Sequence, residues 1–241
     1  MKLTQLKSGT DVRGTAIETA EHPQYELTDE AVSAISGAFI DFLSKKTGKE
    51  CNDLTVSVGH DSRISAMRIK DAVTETLVNM GVNVLYCSYC STPAMFMTTV
   101  TRGCDGAVQI TASHHPYDRN GLKFFTRDGG LSGEELTEIL TAAENAGERA
   151  GSQKGSITEI DYISEYSEIL RNMIKKEVGA ENYEKPLAGF KIAVDAGNGV
   201  GGFYAEKVLA PLGADVSASQ FLEIDGMFPN HIPNPENKTA M

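Results

Sequence analysis

The chain has 241 residues, of which 41% are hydrophobic and 23% are charged, as in an ordinary globular protein that can bury a core without disulfides. Its 22 lysines and arginines stand against 33 aspartates and glutamates, which leaves a net charge of −11. Nucleic acids and anionic membrane surfaces both require basic protein surfaces, so neither is expected as a partner.

The first part of the chain alternates between helix and strand patterns. Thr28 and Ser132 are typical residues for a helix N-cap, and Glu135 forms a capping box with Ser132. The predicted elements are a helix at 28–46, a strand at 54–58, a helix at 65–80, a strand at 82–87, a short helix from Pro93, strands at 107–111 and 122–126, and a helix from Ser132 that ends before Gly147.

A polar segment rich in glycine and serine, 147–156, predicts a domain boundary. The residues after it predict a helix at 162–178, a strand at 191–196, a helix at 203–212 and a strand at 214–220. Strands that alternate with helices indicate an α/β fold, here with a mixed, largely parallel sheet flanked by helices. We expect one complete domain, 1–156, and an incomplete second α/β domain, 157–241.

The segment at 111–125, TASHHPYDRNGLKFF, follows an apolar strand. Open α/β sheets bind their ligands at the carboxyl ends of strands. Pro116 stiffens the loop, and Asn120-Gly121 favours a turn. We therefore expect Ser113 to present an exposed hydroxyl group on a rigid loop.

This loop is basic in an otherwise acidic chain. Its cations are His114, His115, Arg119, Lys123 and Arg127. A serine that accepts and returns a phosphoryl group needs an accessible oxygen, cations for the phosphate charge and a proton shuttle. Histidine titrates near neutrality, and a lysine crowded by cations can approach that range. The pattern alone also fits an ordinary surface loop with a solvated cluster of charges.

Four cysteines raise the question of metal or redox chemistry. Cys87 and Cys90 form a CxxC motif, but Cys51 and Cys104 are isolated, and a zinc site would require a second pair. We expect free, mostly buried thiols in a reducing cytoplasm.

A glycine motif at 197–202 leaves an alternative open. Gly197, Gly199 and Gly202 fit GxGxxG between a predicted strand and helix, and Glu223 follows about 20 residues later, where an acid that binds NAD ribose would lie. Asp195, however, would place negative charge near a pyrophosphate. A dinucleotide-binding (NAD) domain is therefore the alternative function.

Six motifs follow one another along nearly the whole chain. They are SGTDVRG at 8–14, GHDSR at 59–63, STP at 91–93, the loop at 111–125, DAGNG at 195–199 and DGMFPNHIPNPE at 225–236. In this order they resemble the α-D-phosphohexomutases, which are the phosphoglucomutases, phosphomannomutases and phosphoglucosamine mutases. The loop at 111–125 resembles the active-site serine loop of that family.

The resemblance implies an isomerase that interconverts hexose 1-phosphate and hexose 6-phosphate. Ser113 would carry a phosphate, pass it to the sugar and recover the other phosphate from a bisphosphorylated intermediate. Lys123 and His114 would be general acid/base candidates, and Arg13 would orient the substrate and the phosphoserine. The candidates for binding substrate or phosphate are Arg63, which would also support the loop, His115, which stands where the family commonly has asparagine, Arg119 and Asn120.

The resemblance also implies Mg²⁺, with a sugar bisphosphate as activator. The metal would bind Ser113 through its phosphate, together with aspartates of a DGDxDR loop that this sequence does not contain. The substrate would be a glucose or mannose phosphate. Members of the family are longer, so we expect a cytoplasmic N-terminal part that lacks domains III and IV and is inactive alone.

Overall fold

The computed structural model describes residues 2–145, 147, 151, 153–234 and 236–238. The chain divides by its contacts into two compact units, Met1–Ile160 and Asp161–Met241. The predicted linker at 147–156 lies partly outside the described residues. The division of family domains at 156/157 stays a prediction.

In the part of the chain that the structure describes, the first unit contains one sheet of eight strands. The strands are β1 (Lys7–Ser8), β2 (Asp11–Thr15), β3 (Thr55–His60), β4 (Asn83–Tyr89), β5 (Gly106–Ile110), β6 (Arg119–Thr126), β7 (Gly129–Gly130) and β8 (Ile157–Glu159). Their order is β1-β2-β6-β5-β3-β4-β8, and β7 pairs with β6. Pairing is parallel from β5 to β8 and antiparallel from β5 to β1. The sheet is thus mixed, as expected, but it is not largely parallel, because four of the seven strand pairings in the described residues are antiparallel.

Four helices flank this sheet in the described residues, and a fifth begins the second unit. They are α1 (Asp29–Thr47), α2 (Ala66–Asn79), α3 (Thr92–Thr101), α4 (Gly133–Glu144) and, in the second unit, α5 (Tyr162–Val178). The Thr28 side chain accepts the Ala31 N–H, and the capping box of Ser132 and Glu135 is present. No helix in the described ranges is long and apolar enough to cross a membrane.

The alternation of side chains along β3 shows how the sheet is covered on both faces. Val56 and Val58 are fully buried in the core that α1, α2 and α4 also supply. Ser57, which lies between them and therefore points the other way, shares a 2.5 Å hydrogen bond with Thr98 of α3. α3 thus covers the opposite face.

The second unit is less regular than the sequence patterns predict. The strands expected at 191–196 and 214–220 are present only as the isolated bridges Lys191↔Asp215 and Asp195↔Gln220. A 3₁₀ turn at Val200–Gly202 and a π-helical segment at Tyr204–Leu209 replace the predicted helix. The predictions of two regular strands and a regular α-helix were therefore wrong. In the described residues the two strands pair only with each other, and such a pair gains too little stability to form a regular ladder.

Candidate active site

Ser113 lies in the loop of residues 111–118 (the serine loop), which connects β5 to β6. Its side chain is exposed, and its φ of +56° lies in the left-handed region. A non-glycine residue in such a conformation costs on the order of 1–3 kcal/mol and persists only where its surroundings fix it. The N–H of Ser113 donates to Thr111 Oγ1 at 3.0 Å, and its Oγ lies 3.4 Å from His114 Nδ1. The expectation of an exposed hydroxyl is confirmed.

Arg63 fixes the serine loop from inside the unit. Its side chain is fully buried. Burial lowers the pKa of the guanidinium, and the negative charge of Asp61 partly raises it again. The guanidinium donates hydrogen bonds to the main-chain carbonyls of Ser113 (3.0 Å), His115 (2.7 Å), Arg119 (2.9 Å) and Pro116. This is the supporting role expected for Arg63, and direct contact with a substrate phosphate stays a prediction.

Asp61 connects Arg63 to the start of the loop. Its carboxylate accepts from Arg63 Nε at 3.2 Å and from Thr111 Oγ1 at 2.7 Å. The Asp61 N–H donates to the Ile110 carbonyl at 3.0 Å. Asp61 and Thr111 are not among the site residues expected from the sequence, although the GHDSR motif and the serine-loop segment contain them. Their function comes from contacts between segments about 50 residues apart.

Arg13, on β2, approaches the same loop from the neighbouring strand. Its Nη1 donates to the Thr111 carbonyl, and its Nη2 donates to Asp11 Oδ2 at 2.8 Å. Burial lowers the pKa of Arg13, and the Asp11 charge acts in the opposite direction. Lys123 Nζ donates to the same Asp11 oxygen at 2.6 Å. Arg13 and Lys123 thus meet at Asp11, a residue that was not among the site residues expected from the sequence.

His114 and His115 stack on each other, with ring centroids 5.0 Å apart and planes inclined by 19°. Partial burial, and then the positive charge of Arg119, lowers the pKa of His115. A histidine whose pKa lies below its ordinary value is mostly neutral at pH 7. The His115 ring therefore contributes little positive charge to the loop under these conditions.

Asn120 and Arg119 occupy different surroundings. Asn120 is fully buried, where its Nδ2 donates to Ser65 Oγ at 2.9 Å and its Oδ1 accepts the Gly121 N–H at 2.8 Å. It anchors the end of the loop to the start of α2 and does not reach the surface, so we no longer consider it a substrate ligand. Arg119 lines a cleft of about 430 Å³ together with Thr15 and residues of the 21–26 segment.

In the second unit, the 197–202 glycine segment adjoins a charged pair. Asp195 Oδ1 lies 3.1 Å from His231 Nε2 and also accepts the Gly197 N–H at 2.8 Å. The other ring nitrogen of His231, Nδ1, lies 3.0 Å from the Ile232 carbonyl. Since both ring nitrogens face acceptors, the geometry favours the doubly protonated imidazolium.

We expect the His231 imidazole to titrate above its ordinary pKa. The hydrogen bond to the Ile232 carbonyl, and then the bond to Asp195, raises the pKa of His231. The stability that the pair contributes is therefore fully present below the unfolded-state pKa of about 6.5 and is lost as the pH rises through the folded-state value. An NMR titration of the ring protons measures this, with the urea-unfolded protein as reference. Asp195→Asn should reverse part of the shift, and an identical titration in both states would contradict this prediction.

Both parts of the chain match domains of one protein family. The family description phosphoglucomutase/phosphomannomutase, alpha/beta/alpha domain I, matches residues 4–150, and that of alpha/beta/alpha domain II matches residues 164–241. The chain belongs to the phosphoglucomutase/phosphomannomutase family. This confirms the resemblance that the six motifs carry.

Curated relatives of the chain are named for several different substrates. The chain is 33% identical over 225 residues to a phosphoglucomutase of Neisseria meningitidis serogroup B, covering 93% of this chain and 44% of that protein. It is 33% identical to a phosphomannomutase/phosphoglucomutase of Pseudomonas putida, covering 75% and 36%. It is 34% identical to a phosphoglucosamine mutase of Alkaliphilus oremlandii, covering 86% and 44%. The chain thus spans less than half the length of these curated relatives.

A solved structure supports the same fold. A phosphoglucomutase/phosphomannomutase family protein of Burkholderia thailandensis superposes with a TM-score of 0.78 at 25% identity, covering all of this chain and 49% of that one. The α/β fold with a mixed, helix-flanked sheet is confirmed. Dinucleotide binding at 197–202 stays an untested alternative.

The described residues bear on the metal and thiol chemistry considered from the sequence. None of their histidines, cysteines and carboxylates form a group of three that could hold a metal ion. Asp61, the carboxylate bonded to the start of the serine loop, is already shared by Arg63 and Thr111. Mg²⁺ requires several oxygen ligands, so the described residues by themselves do not fit a magnesium site. Burial raises the pKa of Cys90 to about 12, which keeps this thiol protonated and unreactive.

Proposed function

We propose that the intact protein interconverts hexose 1-phosphate and hexose 6-phosphate through a phosphoserine at Ser113. The observation that carries this proposal is the exposed Ser113, held in a left-handed conformation by Thr111 and by the buried, positively charged Arg63 guanidinium. A rigid, accessible oxygen beside positive charge is what reversible phosphoryl transfer requires of a protein.

In the proposed reaction, the phosphorus–Oγ bond of phosphorylated Ser113 breaks as a new bond forms to the free hydroxyl oxygen of the hexose phosphate. The hydroxyl proton passes to a basic group of the protein. The bisphosphorylated sugar then returns its other phosphate to Ser113, the leaving sugar oxygen takes up a proton, and the enzyme recovers its phosphoserine.

The neighbouring residues have separate roles in this proposal. His114 and Lys123 are the acid/base candidates, since His114 lies beside Ser113 Oγ and Lys123 stands on the adjoining strand β6. Arg13 orients the substrate and the phosphoserine, while His115 and Arg119 bind the substrate or its phosphate. Mg²⁺ would bind the Ser113 phosphate together with further oxygen ligands that the described residues do not supply.

The names of the curated relatives suggest candidate substrates. Curated relatives include enzymes named for glucose, mannose and glucosamine phosphates. We propose a glucose or mannose phosphate, with glucose bisphosphate as activator. Rates with glucose 1-phosphate, mannose 1-phosphate and glucosamine 1-phosphate would rank these substrates.

Ser113→Ala in the intact protein is expected to abolish phosphate incorporation, because the methyl group offers no oxygen to the phosphorus. The protein is incubated with ³²P-labelled glucose 1,6-bisphosphate, and mass spectrometry locates the phosphate. Ser217→Ala, which alters another exposed serine, serves as the control and should label normally. If Ser113→Ala labels as the wild type does, Ser113 is not the acceptor.

A further inference from the structure

The carboxylate of Asp11 is the point at which two cations of the candidate site meet. Its Oδ2 accepts hydrogen bonds from Arg13 Nη2 at 2.8 Å and from Lys123 Nζ at 2.6 Å. The side chains of Asp11 and Lys123 are 16% and 26% exposed. Charges at this depth are less screened than on an open surface, so the ion pairs restrain their partners more than exposed pairs do.

The strand register explains why these residues meet. In the antiparallel pair of β2 and β6, Val12 lies opposite Leu122 and Arg13 lies opposite Gly121. The same register places Asp11 opposite Lys123, and side chains two residues apart share one face of the sheet. Asp11, Arg13 and Lys123 therefore lie on a common face.

The missing side chain at Gly121 connects this cluster to the serine loop. A Cβ atom there would stand 2.5 Å from Arg13 Nη1, so glycine leaves the space through which the guanidinium reaches the Thr111 carbonyl. Thr111 in turn accepts the Ser113 N–H. One continuous chain of contacts thus runs from Asp11 through Arg13 and Thr111 to the reacting serine.

We propose that Asp11 is a positioning residue for phosphoryl transfer, whose carboxylate holds the Lys123 ammonium and the Arg13 guanidinium in fixed places beside the serine loop. The inference rests on the proposed function of that loop. Without the carboxylate, the two cations repel each other and the long Lys123 side chain gains rotational freedom. One carboxylate against two cations also leaves a net positive charge for the incoming phosphate.

A double-mutant cycle on the intact protein tests the part of this role that acts through Lys123. Asp11→Asn keeps the side-chain shape and should lower kcat on the order of tenfold, with KM changed by less than about threefold. In a Lys123→Met background, Asp11→Asn should lower kcat by a smaller factor, below about threefold, because only the contact with Arg13 is then lost. Asp11→Glu, which retains the charge, should recover part of the lost rate. Wild-type kcat in Asp11→Asn, or an undiminished loss in the Lys123→Met background, overturns the proposal.

A second measurement does not depend on turnover. The bond to Asp11 holds the Lys123 amine in place on a side chain that is only 26% exposed, so Asp11→Asn should free the amine and raise its rate of acetylation by acetic anhydride at least about threefold. Glu138→Gln, which breaks the exposed Lys45–Glu138 pair at 3.0 Å, is the control and should change Lys45 much less.

Failure of the positioning role is distinguishable from failure of the proposed function. An unchanged acetylation rate at Lys123 overturns the positioning role, whatever the phosphate labelling of Ser113 shows. Circular dichroism verifies the fold of Asp11→Asn, and Asp11→Ser replaces it in the same tests if Asp11→Asn does not fold.

Discussion

Arg63→Met is expected to lower the free energy of unfolding by about 3–5 kcal/mol, as removal of one partner from a buried charged network generally does. The methionine fills much of the same space but donates no hydrogen bonds. Three carbonyls of the serine loop, the Arg119 carbonyl at the start of β6 and the Asp61 carboxylate then each lose the Arg63 side chain as a donor. Urea unfolding followed by circular dichroism measures the change. Phosphate labelling of Ser113 should fall as well, since the loop loses the contacts that fix its shape.

Arg127→Met is the matched control for this prediction. Arg127 also donates to main-chain carbonyls, those of Gly103 and Cys104, but its side chain is 57% exposed. Water can replace these contacts, so the expected loss is below about 1 kcal/mol. Equal losses in the two variants would show that burial of the Arg63 network does not matter.

Gly121→Ala is expected to destabilise the first unit by roughly 3 kcal/mol or more, an effect at the upper end for a single added methyl group. The new Cβ would overlap the Val12 carbonyl oxygen and lie 2.9 Å from the Thr111 carbonyl oxygen. Both atoms belong to the backbone, which cannot rotate away as a side chain can. Strands β2 and β6 must therefore separate, and Arg13 must leave its position over Gly121.

Gly130→Ala, on β7 of the same antiparallel region, provides the comparison. Its Cβ would meet nothing nearer than Phe125 ring atoms at 3.9 Å, and we expect a change within about 0.5 kcal/mol. Urea unfolding of both variants gives the difference directly. A Gly121→Ala protein as stable as Gly130→Ala would mean that the two strands adapt freely to the added methyl group.

The parts of the fold that sequence predicts best are those set by local signals. Helices α1 and α4 begin at Thr28 and Ser132 as predicted, because cap and capping box lie within four residues of each helix start. Strand β2 was not predicted, since DVRGT has no regular alternation of apolar residues. It forms because β6, more than 100 residues later, pairs with it, and no local pattern contains that information.

The candidate site, too, could be predicted from the sequence only where a local segment contains it. Ser113 and its surrounding cations are recognisable in one short segment, whereas Asp11 and Asp61 act on residues far along the chain. Asn120 illustrates the opposite error: a polar residue in a ligand-binding segment suggests contact with substrate, yet the structure buries it against Ser65. Sequence reveals which side chains carry charge, but only the fold shows which of them face the solvent.

The dependence of the serine loop on Arg63 has a consequence for engineering. The side chain that determines the loop's shape belongs to the connection between β3 and α2, about 50 residues earlier. A synthetic peptide that copies only 111–121 would be a flexible chain, and antibodies raised against it would recognise the native protein poorly. Transplanting the loop onto another scaffold would require grafting the 60–63 segment together with it.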